Sequence, residues 1–117
     1  MAKKTFNDIL LRAVDDALSS LGNSAKQSIY FHLENKFGIE KEGIANNIKE
    51  FECGLHKIFG VGAKYIEILI MKSLHDRLHR PLEWEADKEL VFVDYINAAR
   101  QSYARAVSKK SIRATRA

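Results

Sequence analysis

Cysteine occurs once, at Cys53, so no disulfide can form within the chain and a reducing compartment is the expected setting. Proline also occurs once, at Pro81, and no alternating apolar pattern is long enough to read as a strand. Helices separated by few breakers are what remains. No apolar run approaches the roughly 20 residues of a membrane span. In the most apolar segment the unbroken run is only Ile68 to Met71. Met1-Ala2-Lys3-Lys4-Thr5-Phe6 lacks the apolar core of a signal peptide. These absences lead us to expect a cytoplasmic protein without a membrane span. Acid is missing from one end. All 15 Asp and Glu lie at or before Asp94, with 13 of the 19 Lys and Arg, and the remaining six cations follow with no acid among them. A near-neutral body with a basic end is able to attract polyanions, although a solvated terminus is the plainer reading.

The 117 residues suit one domain with a real core, and 46% apolar with 29% charged residues is a globular composition. The stretch from Phe59 to Leu78 organises the rest. A Gly60-Val61-Gly62 turn feeds a helix of about residues 62–78 that carries apolar residues on nearly every side. Ala63, Ile70, Leu74 and Leu78 share one face. Tyr65, Ile66, Ile68, Leu69 and Met71 point elsewhere. A helix apolar all round is buried, so it should be the central helix of an all-α bundle.

Five helices are expected. The first spans about Asn7 to Leu21, with Thr5 and Asp8 as its start signal and Gly22 as its end. The second spans Ser24 to Phe37, with Ser24 and Gln27 as a capping pair, and the third runs from Asn47, paired with Glu50, to Phe59. Gly54 interrupts the third and costs roughly 1 kcal/mol relative to Ala unless a neighbouring helix needs the space. Pro81 breaks the chain after the fourth. A fifth helix begins between Pro81 and Asp87 and continues to about Val107. The domain layout is therefore 1–80 as a helical domain, 81–107 as an amphipathic C-terminal helix, and 108–117 as a basic mobile tail.

The fifth helix carries a stripe of Phe92, Tyr95, Ile96, Ala99 and Tyr103 that must be covered. It can fold back on its own bundle or pair with the same helix of a second chain, and the homodimer is favoured. Trp84 should anchor the preceding connection. Phe31 falls off its helix's apolar face; a second core contact is favoured there over a partner surface.

Catalytic chemistry finds little support. No nucleophile and base are suitably spaced, and Cys53, on a helix bearing Glu50 and Glu52, reads as a buried inert thiol. Cys53, His56, His75 and His79 have metal-like spacings. A hairpin about Gly60 to Gly62, however, puts Cys53 opposite Leu69, with His75 and His79 about 9–15 Å further along the axis. No enzyme activity, cofactor or metal is expected. The Gly-Val-Gly turn is similar to a helix-hairpin-helix element, whose turn amides hold a DNA phosphate, but Ile66 and Phe59 stand where that motif usually has a small residue and a proline. An ordinary glycine-ended helix and tight turn is the preferred reading. Candidate nucleic-acid contacts are Gly60, Gly62, Lys64, Arg100, Arg105, Lys109, Lys110, Arg113 and Arg116.

The order of segments carries a more specific likeness. DDALSSLGNSAKQSIYFHLENKFGI followed by KEGIANNIKEFECGLHKIFGVGAKYIEILIMKSL resembles the small archaeal Nitrosopumilus output domain over about residues 6–78. Its marks are the LSSLG helix end, the IYFHLENKFGI helix and the IFGVGAK turn leading to ILIMKSL. The resemblance implies a helical signalling or regulatory module, often set beside a sensor domain, with no catalytic or ligand residues to carry over. The expectation is a non-enzymatic archaeal output module or adaptor that binds a protein partner or itself. The alternative is a small protein binding DNA weakly and without sequence preference.

Overall fold

The computed structural model describes residues 5–78 and 91–116, with side chains up to Ala106. Among these residues there is no strand. Five α-helices follow one another: α1 (Phe6–Ser19), α2 (Asn23–Phe37), α3 (Ile48–Phe59), α4 (Ala63–Leu78) and α5 (Phe92–Arg116). A short 3-10 helix, Lys41–Asn46, joins α2 to α3, and a tighter one, Gly60–Gly62, joins α3 to α4. The all-α bundle matches the periodicity. None of the described helices is long and apolar enough to cross a membrane.

α1 begins as its sequence indicates. The Asp8 amide donates to Thr5 Oγ1 and the Thr5 amide donates to Asp8 Oδ2, both at 3.1 Å, which closes a capping box. The two other expected caps do not form. α2 starts one residue early, after Gly22 at φ 108, and Ser24 makes no cap. The Asn47 side-chain amide donates instead to the Gly43 carbonyl at 2.8 Å. Asn and Ser side chains have competing local backbone partners, so a capping sequence does not ensure a cap. At the far end of α2, Gly38 takes φ 66. Its amide donates to Glu34, and the Ile39 amide reaches back to Leu33, closing the helix while burying Ile39.

α4 is the hub. It packs most extensively along α1 and also meets α3 and α5. Phe6, Leu10, Ala13, Val14, Ala17 and Leu18 of α1 are buried, as are Ala63, Ile66, Ile70, Met71 and Leu74 of α4. The expectation of a helix buried all round is corrected: Tyr65 and Ile68 are 61% and 53% exposed, and Leu69 is half-buried. The neighbouring helices cover one wide face of α4 and leave the other open. α3 lies against α2 where Gly54 sits. A Cβ there would come within 2.9 Å of Leu33 Cδ2 and 3.4 Å of Phe37 Cδ2, so the glycine makes room for α2.

α5 folds back on its own chain. Phe92, Tyr95, Ile96 and Ala99 are buried. The Phe92 ring meets Phe51 at 6.3 Å between centroids, and Tyr103 meets Phe6 at 6.0 Å. The stripe expected to form a dimer surface is therefore occupied within one molecule, because α5 packs against α4, α3 and α1. The helix also runs past Val107, its expected end, to Arg116. Residues 108–116 hold no Gly or Pro and are rich in Lys and Arg, which favour helix and place cations at the negative end of the dipole. Trp84 lies outside the described residues.

Asp15 ties three segments together. Tyr30 Oη donates to it at 3.0 Å, and Lys26 and Lys41 Nζ lie 3.5 Å away. Burial pushes its pKa up, but the Tyr30 hydrogen bond and the two ammonium groups outweigh that and hold it below the ordinary 3.8. Tyr30→Phe should cost about 1–2 kcal/mol at neutral pH. A depressed carboxyl stabilises the fold above its unfolded pKa and ceases to do so as the pH falls through its folded value. The Tyr30→Phe deficit should therefore be full at neutral pH and close below Asp15's folded pKa. Urea unfolding at several pH values reads this directly; a deficit of constant size down to the acid limit would contradict it.

Candidate functional site

The α3–α4 hairpin builds the most chemically varied surface. Glu52 and His56 stand one helical turn apart on α3, so both side chains point the same way. On α4, Glu67 falls among Ala63, Ile70 and Leu74, on the covered face, and keeps only 5% of its surface. The Gly60 turn, at φ 59, brings the two helices together. His56 Nε2 donates to Glu67 Oε1 at 3.1 Å and lies 3.4 Å from Oε2. One ligating atom from each of Glu52, His56 and Glu67 lies within 4.8 Å of the others. A cavity of about 400 Å³ opens over them, with Ile68, Met71 and Phe92 as its apolar wall and Lys64 at its side. Burial raises the pKa of Glu52; the Glu67 and Asp94 charges push it the same way, and His56 opposes them.

Beside this cavity runs an apolar strip. Val61 is 95% exposed, and Tyr65 and Ile68 follow at helical spacing on the open side of α4. Lys64 and Lys72 are exposed along the same helix. Periodicity does not reveal such a strip, because it reads the whole helix as buried.

The residues expected to contact nucleic acid are not brought together. Arg100 is half-buried and tied to the fold. Its Nη1 donates to Asn7 Oδ1 at 2.6 Å and its Nη2 to the Ala45 carbonyl at 2.8 Å, with the guanidinium 4.9 Å from the Phe6 ring centre. It is a structural clamp, not a free cation, because both ends of its half-buried guanidinium are engaged, at the start of α1 and in the linker before α3. Arg105 is exposed. Lys109, Lys110, Arg113 and Arg116 lie on the last turns of α5, and their side chains are outside the described ones. Lys64 is exposed beside Gly60 and Gly62. In that turn the Gly60 amide already donates to His56, and the Ala63 amide to Gly60 and Val61.

Two aromatic and thiol expectations change. Phe31 is 62% exposed, edge-on to His32, and not a core contact. The neighbours of α2 are α1 and α3, and neither reaches that side. Cys53 is exposed rather than buried, because it sits on the outer side of α3. Cys53 and His75 do not join His56 in a common cluster; His79 is outside the described residues.

Glu67 is the residue that sequence reasoning misses. The helical wheel places it inside the buried stripe, and a charged residue there needs a partner. No family model, curated protein or solved structure matches this chain.

Proposed function

We propose that this chain is a non-enzymatic helical module, a signalling output or regulatory adaptor of archaeal type, that works by binding another protein through the open face of α4. The observation that carries this reading is the strip Val61, Tyr65 and Ile68, exposed at i, i+4 and i+7 and flanked by Lys64 and Lys72. That spacing suits an amphipathic partner helix whose apolar side is bordered by acidic residues. The resemblance of residues 6–78 to the archaeal output domain supports the same role.

A second reading, weak nucleic-acid binding, draws on one observation. α5 continues as a helix to Arg116, so its terminal cations lie on the same helix as exposed Arg105.

The test is affinity capture from source cells with and without nuclease, using the natural chain and a Tyr65→Ser/Ile68→Ser variant. A captured protein should survive nuclease and moderate salt. Its affinity should fall about thirtyfold or more in the variant, as for a central aromatic anchor worth about 2 kcal/mol. The variant itself should remain folded, because both side chains are exposed. Material that disappears with nuclease, or an affinity that falls steeply with salt, would favour the nucleic-acid reading. Capture unaffected by the double substitution would remove α4's open face from consideration.

A further inference from the structure

Glu52, His56 and Glu67 present two carboxylates and an imidazole to one point, from two helices joined by a fixed turn. These donors are not the cysteine–histidine set whose spacing the hairpin excludes. Atoms bound to one ion at about 2.0–2.2 Å lie roughly 3–4 Å apart. His56 Nε2 and Glu67 Oε1 already do so, at 3.1 Å. The remaining closure from 4.8 Å falls within the reach of Glu52, a long side chain at the cavity mouth.

A second observation is independent of spacing. Glu67 is a carboxylate with 5% exposure on the packed face of α4, and its hydrogen-bond partner is an imidazole that keeps 41% of its surface. A buried carboxylate needs strong compensation from its surroundings, and among the described residues this one has a single, partly exposed ring as its hydrogen-bond partner. The other charges facing this point are Glu52, Asp94 and Lys64, so negative charge prevails. The cavity leaves space for water or a further ligand on the open side, while Met71 and Phe92 shield the inner side.

We propose that Glu52, His56 and Glu67 form a binding site for a divalent first-row transition cation, of which Zn²⁺ is the natural probe. The mixed oxygen and nitrogen donors favour such an ion over Mg²⁺ or Ca²⁺, which prefer oxygen alone. The ion would cross-link α3 to α4 and neutralise Glu67. This site does not depend on the partner-binding reading.

The test uses the full chain, stripped with chelator and titrated with Zn²⁺ by calorimetry, with Co²⁺ absorption as a report of coordination. One equivalent should bind with a Kd well below about 100 μM, and the bound form should melt at a higher temperature. His56→Ala and Glu52→Gln should each weaken binding at least tenfold. Their far-UV circular dichroism should be unchanged, since neither residue is part of the buried core. A Cys53→Ser/His75→Ala variant should bind as the natural chain does. The imidazole nitrogen resonances of His56 should shift on addition of Zn²⁺, a readout that survives even if one substitution disturbs the fold. No saturable binding in that range would overturn the site. So would full affinity in both His56→Ala and Glu52→Gln, or failure of Cys53→Ser/His75→Ala to bind.

Discussion

Replacing Phe51 with alanine should cost about 3–5 kcal/mol, a large part of the roughly 5–15 kcal/mol that holds a domain of this kind together. Phe51 is fully buried on α3, and its ring meets Phe92, the first residue of α5. The loss combines the transfer of a large apolar side chain with a cavity between two helices, which the packed surroundings can only partly refill. Because α5 reaches the bundle through this contact, the variant should also loosen α5's first turns. Denaturant unfolding should show a lower midpoint, and amide exchange near Tyr95 and Ile96 should quicken. Leu69→Ala on α4 should cost less, since Leu69 is only half-buried. A Phe51→Ala change below about 1 kcal/mol would mean that the α3–α5 contact does not support the fold.

Arg100→Ala should cost about 2–4 kcal/mol. The guanidinium makes two charge-assisted hydrogen bonds, each of a kind worth about 1.5–3 kcal/mol when a charged group is involved. It also lies over the Phe6 ring. Truncation leaves the carbonyl of buried Ala45 without its side-chain donor and frees three segments at once: the start of α1, the linker before α3, and α5. Arg100→Lys should recover only part of the loss, because an ammonium cannot reach Asn7 and Ala45 as a fork does. Thermal and denaturant unfolding of both variants measure this. A loss under about 0.5 kcal/mol, the size of an ordinary surface change, would show that Arg100 is a solvated cation after all.

Much of the architecture can be read from periodicity. The apolar spacing of α1 picks out Phe6, Leu10, Ala13, Val14, Ala17 and Leu18, and each is buried. Gly38 and Gly60 punctuate the chain where their positive φ is used. Periodicity does not say which of two apolar faces receives a neighbour. That is why Tyr65 and Ile68 read as interior yet lie outside, and why Phe31 reads as a core residue. Charge along the chain is likewise blind to the fold's interior. In sequence Arg100 is one of six similar cations, and only the return of α5 toward Asn7 and Ala45 separates it from exposed Arg105.

The candidate site is partly visible in the sequence. The hairpin register that puts Cys53 opposite Leu69 also puts His56 beside Glu67, and Glu52 stands a turn before His56. Sequence spacing within one helix finds such pairs easily. The third member lies across a turn, and its importance comes from its burial, which depends on α1 and α5 covering α4.

The pairing of α1 with α4 bears on how the chain is made. The first helix finds its principal neighbour only after the segment from Ala63 to Leu78 has been synthesised. At the usual pace of about 5–20 residues per second, the nascent α1 waits for roughly 3–12 s with its apolar stripe uncovered. During that interval Leu10, Val14 and Leu18 have α2 as their available shelter, so the ribosome-bound chain is the stage most exposed to aggregation and most open to chaperone capture.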